Sequence, residues 1–390
     1  MAKALDNTDA LGQPVSLTRS LASVQTLRLA LGLTAAFGAL IFFLGTSWDI
    51  QWHNYIGRDR TLIPPHQMML VGVALSGIAG LAAIIIESIW ARKSTVIARY
   101  STPFADLFHG SLGAYIVGFA ALNAAVAFPL DSYWHALYGI DVAIWAPFHI
   151  MFAFGLAVVA FGAAYMLLSA ANLTSHTGTT GMKRVVYIGV IISFAIMLSI
   201  FTLLLFDALS KKNFIHIGNI LISLFPLLAG LLAAFTFVAV KYAVPWRWAA
   251  TSVVAVYLVF AGVIALFVQP VTEYLRVAEG LVYRNGQAPF TSVVTMEWFI
   301  APIIVAVLID IFMYRAQRKQ WSARKLTLVL ALTALIAGLP APLFFPWYAF
   351  YIFYQYGIGF VIALLIGFLA TYTGVWFGRN IGMSLQTLER

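Results

Sequence analysis

The sequence predicts an all-α, polytopic integral membrane protein, a helical bundle of about ten transmembrane helices. Three observations carry that fold class. The chain is 62% hydrophobic and only 9% charged over 390 residues, and soluble domains seldom fall so low in charge. Apolar runs recur at a length near the ~20 residues that cross a bilayer as helix. Those runs, rich in Leu, Ile, Val, Ala and Phe, lack the polar face of a water-exposed helix, and no separate soluble domain fits between them.

Taken in order, residues 1–25 are polar and contain Asp6 and Asp9. They lack the basic start, apolar centre and small-residue cleavage site of a signal peptide and read as a cytoplasmic tail. Spans are then expected at 26–48, 66–91, 104–129, 147–172, 185–207, 214–241, 247–269, 291–314, 325–345 and 347–377. Residues 26–172 hold a repeated pair of helix pairs, and 173–390 a second bundle of six helices. An even number of spans puts both termini on one side. That side collects Lys3, Arg19, Arg28, Arg92, Lys93, Arg99, Lys183, Arg184, Lys241, Arg247, Arg315, Arg318, Lys319, Arg324, Lys325, Arg379 and Arg390. The other holds only Arg58, Arg60, Lys211, Lys212, Arg276 and Arg284, which is 17 against 6 of the 23 basic residues. The positive-inside rule then places both termini in the cytoplasm and the chain in the inner, cytoplasmic membrane. The net charge of +9 is explained by this topology and by anionic lipid, so the lipid bilayer is the expected partner and nucleic acid is not. There is no cysteine, which removes disulfides, iron–sulfur clusters and thiolate sites; a bound metal must be held by nitrogen and oxygen.

Helices one to four contain a parallel internal repeat. The copies are DIQWHNYIGRDRTLIPPHQMMLVG from Asp49 and DSYWHALYGIDVAIWAPFHIMFAFG from Asp131. Each reads Asp, two residues, Trp-His, three residues, Gly, one residue, Asp, then Pro, one residue, His, and a later Gly; the second copy has one extra residue between its second Asp and its Pro. Such agreement is hard to credit to chance in a chain with only 7 histidines. Both copies run from the exterior end of an outgoing helix to the start of the returning one, so a pseudo-twofold near the membrane normal relates the pairs.

The spacing points to metal chemistry. Asp49 and His53 are i and i+4 and stand on one helical face, while His66 opens the next helix behind Pro64-Pro65. A hairpin would gather a carboxylate and two imidazoles, a ligand set suited to copper, zinc or iron. Asp131, His135 and His149 offer the same set; the two sets can form two mononuclear sites or meet as one dinuclear site. Asp59 and Asp141 read as acceptors that fix a histidine tautomer, with Arg58 pairing to Asp59, and Gly57 and Gly139 as turn residues.

The pattern Asp-x3-His-x12-His, with Arg-Asp and Pro-x-His inside it, resembles the metal-binding segment of the C subunit of the copper membrane monooxygenases, the particulate methane and ammonia monooxygenase family. The resemblance covers one short segment. It implies a copper site near the membrane surface at Asp49, His53 and His66, with Arg58-Asp59 matching the family's Arg-Asp. It also implies oxygen-dependent oxidation within a hetero-oligomer of membrane subunits. The second copy departs from it, with Ile140 where the first has Arg58.

Other residues support rival readings. Glu297 lies inside an expected span, where an ionised group needs a partner or a cavity. As a proton carrier it would suit a transporter or channel. His109 and His216, placed within expected helices, would suit a structural subunit binding haem or a pigment. Glu87, Asp106, Asp207 and Asp310 are expected near helix ends, satisfied by snorkelling or a loop cation. Trp48, Trp52, Trp134 and Trp145 are expected in interfacial belts, and His176 in a solvated loop. The loop 270–290 is expected to carry a short amphipathic helix and could cover the repeat loops.

Overall fold

The apolar runs fold into helices whose ends are set by prolines, caps and a few left-handed glycines. The computed structural model describes residues 8–57, 62–139, 146–179, 181–208, 214–284, 286, 300–339 and 346–389. Helices α1 (Thr8–Tyr55) and α2 (Pro64–Ala91) form the first pair. A short helix, α3 (Thr95–Arg99), and a hairpin of β1 (Thr102–Phe104) with β2 (Phe108–Gly110) lead into α4 (Leu112–Tyr138), which pairs with α5 (Pro147–Asn172). One turn, α6 (Thr174–Thr177), precedes α7 (Met182–Ala208). A second hairpin, β3 (Phe214–Ile217) with β4 (Ile220–Ser223), precedes α8 (Phe225–Ala243) and α9 (Ala249–Ala278). Then come α10 (Ile300–Arg318), α11 (Ala323–Leu335) and α12 (Pro346–Thr387). The chain is thus a polytopic α-helical membrane protein. Among the described residues, 8 helices are long and apolar enough to cross a bilayer. The expected spans 291–314 and 325–345 correspond to α10 and α11, and part of each lies outside the described residues.

Four boundaries differ from expectation. The polar start is already helical from Thr8, and Leu21, Val24 and Gln25 are buried, with Gln25 donating to the Ala170 carbonyl at 3.1 Å. The span expected at 104–129 begins only at Leu112, where the Ser111 hydroxyl accepts from the Ala114 N–H. The residues before it form an antiparallel hairpin, Thr102 opposite Gly110, around Ala105 and Asp106 at φ 51° and 54°. Likewise Phe214–Ser223 is a hairpin rather than the start of a helix, Phe214 opposite Ser223, turning through Gly218 at φ 57°. Short apolar runs do not distinguish strand from helix by hydrophobicity alone; Ile-rich alternation around Gly-Asn is the hairpin signal. Finally, α9 runs through Pro270 to Ala278, so the first part of the segment expected as a surface loop is a continuation of that helix.

The first four long helices close a ring. Helix α1 packs on α2 and α5, and α4 packs on α5 and α2. Exchanging α1 with α4 and α2 with α5 therefore leaves every neighbour relation intact, as the pseudo-twofold requires. The glycine that ends each repeat sets the spacing within each pair. A Cβ on Gly72 would stand 2.5 Å from the Phe42 nitrogen and 2.6 Å from the Gly38 carbonyl oxygen, both backbone; on Gly155 it would stand 3.0 Å from the Ala124 methyl and 3.1 Å from the Ala120 carbonyl oxygen. Small residues let membrane helices approach this closely. Gly72→Ala is accordingly expected to destabilise the protein by about 1–3 kcal/mol through overpacking, and Gly155→Ala by less. Thermal unfolding in detergent checks the order; equal midpoints for Gly72→Ala and the parent would refute it.

The remaining helices pack onto this ring. Helix α7 lies on α5 and α1, α9 on α1 and α7, and α12 on α8, with one apolar core running from Phe42 and Leu156 through Phe194 and Phe237 to Val375. Asp310 is buried in the middle of α10 rather than near a helix end, and it pairs with Lys241 of α8 at 3.2 Å instead of a loop cation, also accepting the Thr251 N–H at 2.9 Å at the start of α9.

Candidate metal centre

Helix α1 is longer than a bilayer requires. Its apolar part alone, Ser20–Tyr55, is 36 residues, about 54 Å of helix against a hydrocarbon thickness of roughly 30 Å. Asp49 and His53 lie in its last two turns, away from the middle of the span. The chain then leaves the helix through Gly57 at φ 71° and re-enters at α2, whose N-cap is Ile63 and whose first two positions are Pro64 and Pro65. His66 is therefore the third residue of α2. In the second copy α4 ends at Tyr138, and Gly139, at φ 83°, donates its N–H to the His135 carbonyl at 2.9 Å. Helix α5 has Ala146 as N-cap and Pro147 first, which makes His149 the third residue of α5. The two copies thus place their second histidine at the same position of the returning helix and their Asp and first His one turn apart near the end of the outgoing one, and the extra residue falls between Gly139 and Ala146.

This phasing assembles both sets. Nε2 of His53 and of His66 lie 3.3 and 3.0 Å from Asp49 Oδ1; Nε2 of His135 and of His149 lie 3.6 and 3.3 Å from Asp131 Oδ1. In each triad the two imidazole centroids are 5.8 Å apart, and one ligand atom from each residue falls within 4.8 Å of the other two. Four-coordinate ligands at about 2.0–2.1 Å from a metal stand roughly 3.3 Å from one another, and the four distances above scatter around that edge. Asp49 Oδ1 and Asp131 Oδ1 are both buried, each with two imidazole nitrogens beside it, and a cation seated among the three groups of a triad would be ligated by one oxygen and two nitrogens.

The triads form two separate groups. His66 rests edge-on against Phe128 of α4 at 5.3 Å, Phe128 packs on Phe152 at 5.9 Å, and Phe152 on Phe42 at 6.3 Å. These aromatic contacts link α2, α4, α5 and α1 in turn.

Several expected roles change. Trp48 and Trp52 are buried rather than set in an interfacial belt, because α9 covers them: Trp48 Nε1 donates to Thr272 Oγ1 at 2.9 Å and its ring meets Phe267 at 5.6 Å. Trp134 is half-buried and packs on Tyr138 and Phe148. The segment after α9 reaches the first repeat: the Arg284 N–H donates to the Tyr55 carbonyl at 2.7 Å. It is fastened by Glu273, which pairs with Arg276 at 2.7 Å and accepts the Tyr283 hydroxyl. Burial, with the Glu273 carboxylate alongside, raises the Tyr283 phenol above its ordinary pKa. His109 and His216 lie on β2 and β3, not in helices. His109 Nδ1 is 3.0 Å from Ser101 Oγ, His216 is exposed, and His176 packs on Tyr100 at 5.1 Å. Glu87 is not at a wet helix end but wholly buried, 2.7 Å from the Arg28 guanidinium. Arg58, Asp59, Asp141, Trp145 and Glu297 lie outside the described residues, as does the side chain of Asp207.

No protein-family model, no curated protein and no solved structure matches the chain.

Proposed function

We propose that the chain is a membrane metalloprotein carrying two mononuclear Asp-His-His centres, one at Asp49, His53 and His66 and the other at Asp131, His135 and His149. The observation that carries this reading is the pair of buried carboxylate oxygens, each with two imidazole nitrogens at 3.0–3.6 Å. Copper is the metal favoured, from the resemblance of Asp49, His53, His66 and the intervening Arg58-Asp59 to the copper monooxygenase C subunit; zinc and iron accept the same ligand set. Bound copper would supply one-electron chemistry with dioxygen, and the same resemblance supports a place in an oxidoreductase complex with other membrane subunits. The excess of basic residues at the opposite end of the bundle supports an exterior-facing site with both termini in the cytoplasm. The chain's own contribution is to hold two helix ends against two helix starts, so that the ligands are in place before the metal arrives.

Metal titration of the purified, chelator-stripped protein tests this. The expected result is two equivalents of tightly held copper near neutral pH, with metal released on acidification, because imidazole ligates in its neutral form. Protein that keeps its helical circular dichroism but retains no copper, zinc or iron would sink the proposal.

A further inference from the structure

The pseudo-twofold makes the two triads equivalent in their ligands, but the rest of the chain does not. Helix α9 lies along α1 at the first site and presses on Trp48, which meets Trp52 at 6.4 Å; Trp52 is 1% exposed. Beyond α9, Leu281 is buried, and the Arg284 side chain crosses Gly57, lying 3.1 Å from where a Cβ would stand. Ile56 and Ile63 close the two helix ends. Among the described residues, nothing equivalent covers the second site. The counterpart of Trp52, Trp134, is only half-buried. Tyr133 and Leu137 are exposed, Tyr138 is 69% exposed, and a Cβ on Gly139 would meet nothing within 4 Å. The ligands differ accordingly, His149 having 25% of its side chain exposed against 12% for His66. The carboxylates do not follow that trend, at 14% for Asp131 and 19% for Asp49; the opening lies at the second histidine.

Resting on the metal reading above, we infer that the site of Asp131, His135 and His149 is the one that exchanges its metal and takes a small exogenous donor ligand, while the site of Asp49, His53 and His66 is closed. Structural metal sites are closed, whereas reactive ones keep a position open; here one ligand set has been put to both uses by covering only one copy. The chemical class that fits the open position is a small σ-donor such as azide, cyanide or dioxygen, entering beside His149.

The test uses the full chain in detergent, loaded with Co2+, whose visible bands report coordination. Excess EDTA should remove cobalt in two phases of equal amplitude, with rates at least tenfold apart. Asp131→Asn should abolish the fast phase and Asp49→Asn the slow one. Azide should shift about half of the absorbance in the parent and all of it in Asp49→Asn. Arg284→Ala, which alters no ligand, should speed the slow phase alone. Two bound cobalts leaving in a single phase, or a fast phase that survives Asp131→Asn, would overturn the inference while leaving the metal reading standing. Failure to bind any cobalt would overturn both.

Discussion

Asp49→Asn should lower the metal content of the purified protein from two equivalents to one, Asp131→Asn should do the same, and the double variant should hold none. Asparagine keeps the volume of the side chain and removes its charge, so each altered triad is left with two neutral imidazoles. Loss of a group that only orients a ligand already costs about 10–100-fold in affinity; loss of the ligand itself should exceed the upper end of that range. The stoichiometry also decides nuclearity. Each carboxylate oxygen gathers its own two histidines at 3.0–3.6 Å, so the structure predicts independent sites whose losses add. A single dinuclear centre would behave differently, each single variant giving up both ions together. Elemental analysis of the three variants at matched protein concentration reads the outcome, and a drop from two to zero in either single variant would refute the separation of the sites.

How far these sites could be read in the sequence follows from the range of the interactions involved. The i, i+4 spacing of Asp49 and His53, and of Asp131 and His135, is a local helical relation. Pro64-Pro65 and Pro147 mark helix starts just as locally, so the two ligand sets were legible before any coordinates. The repeat likewise implied a pseudo-twofold, and the packing of α1, α2, α4 and α5 is exchangeable as such an axis requires. What was not legible depends on partners far away in the chain. Trp48 could not be assigned to the interior without knowing that Thr272, 224 residues later, meets it. His109 was misplaced because Phe104–Gly110 is apolar enough for a helix, and only the Ser111 cap at Ala114 fixes the true start. A Ser cap is a weak sequence signal, but with the Ala105-Asp106 turn before it the hairpin was within reach. Glu87 was misjudged for the same reason of distance, its cation lying 59 residues upstream on another helix.

That cation gives the largest expected effect on stability. Arg28 is completely buried, at the end of the bundle opposite the triads. Its Nε and Nη2 grip Glu87 at 2.9 and 2.7 Å, Nη1 reaches Ser169 Oγ at 2.6 Å and Glu389 at 2.9 Å, and Nη2 also donates to the Tyr100 carbonyl at 2.8 Å. One guanidinium thus faces two carboxylates. The second of these is tolerated because Glu389 also accepts the Thr102 hydroxyl at 2.8 Å and the Leu112 N–H at 2.6 Å. Leu112 opens α4, so Glu389 lies at the positive end of a helix dipole. Removing the shared cation leaves two buried anions without a counter-charge, a loss worth about 3–5 kcal/mol for one broken buried pair. Arg28→Met should therefore unfold far earlier in detergent than the parent. Replacing Glu87 as well with an apolar group of similar size removes one of the two uncompensated charges and leaves that of Glu389, so Arg28→Met with Glu87→Leu should recover part of the loss. Glu389→Gln, which keeps a hydrogen-bonding side chain beside Leu112 and Thr102, should cost less than Arg28→Met. Arg28 is 21 residues from Asp49 along α1, about 32 Å at helical rise, so the folded fraction of every one of these variants should still bind two metal ions. An Arg28→Met protein as stable as the parent would refute the role of the network, and a folded variant with altered metal content would show that the two ends of the bundle are coupled.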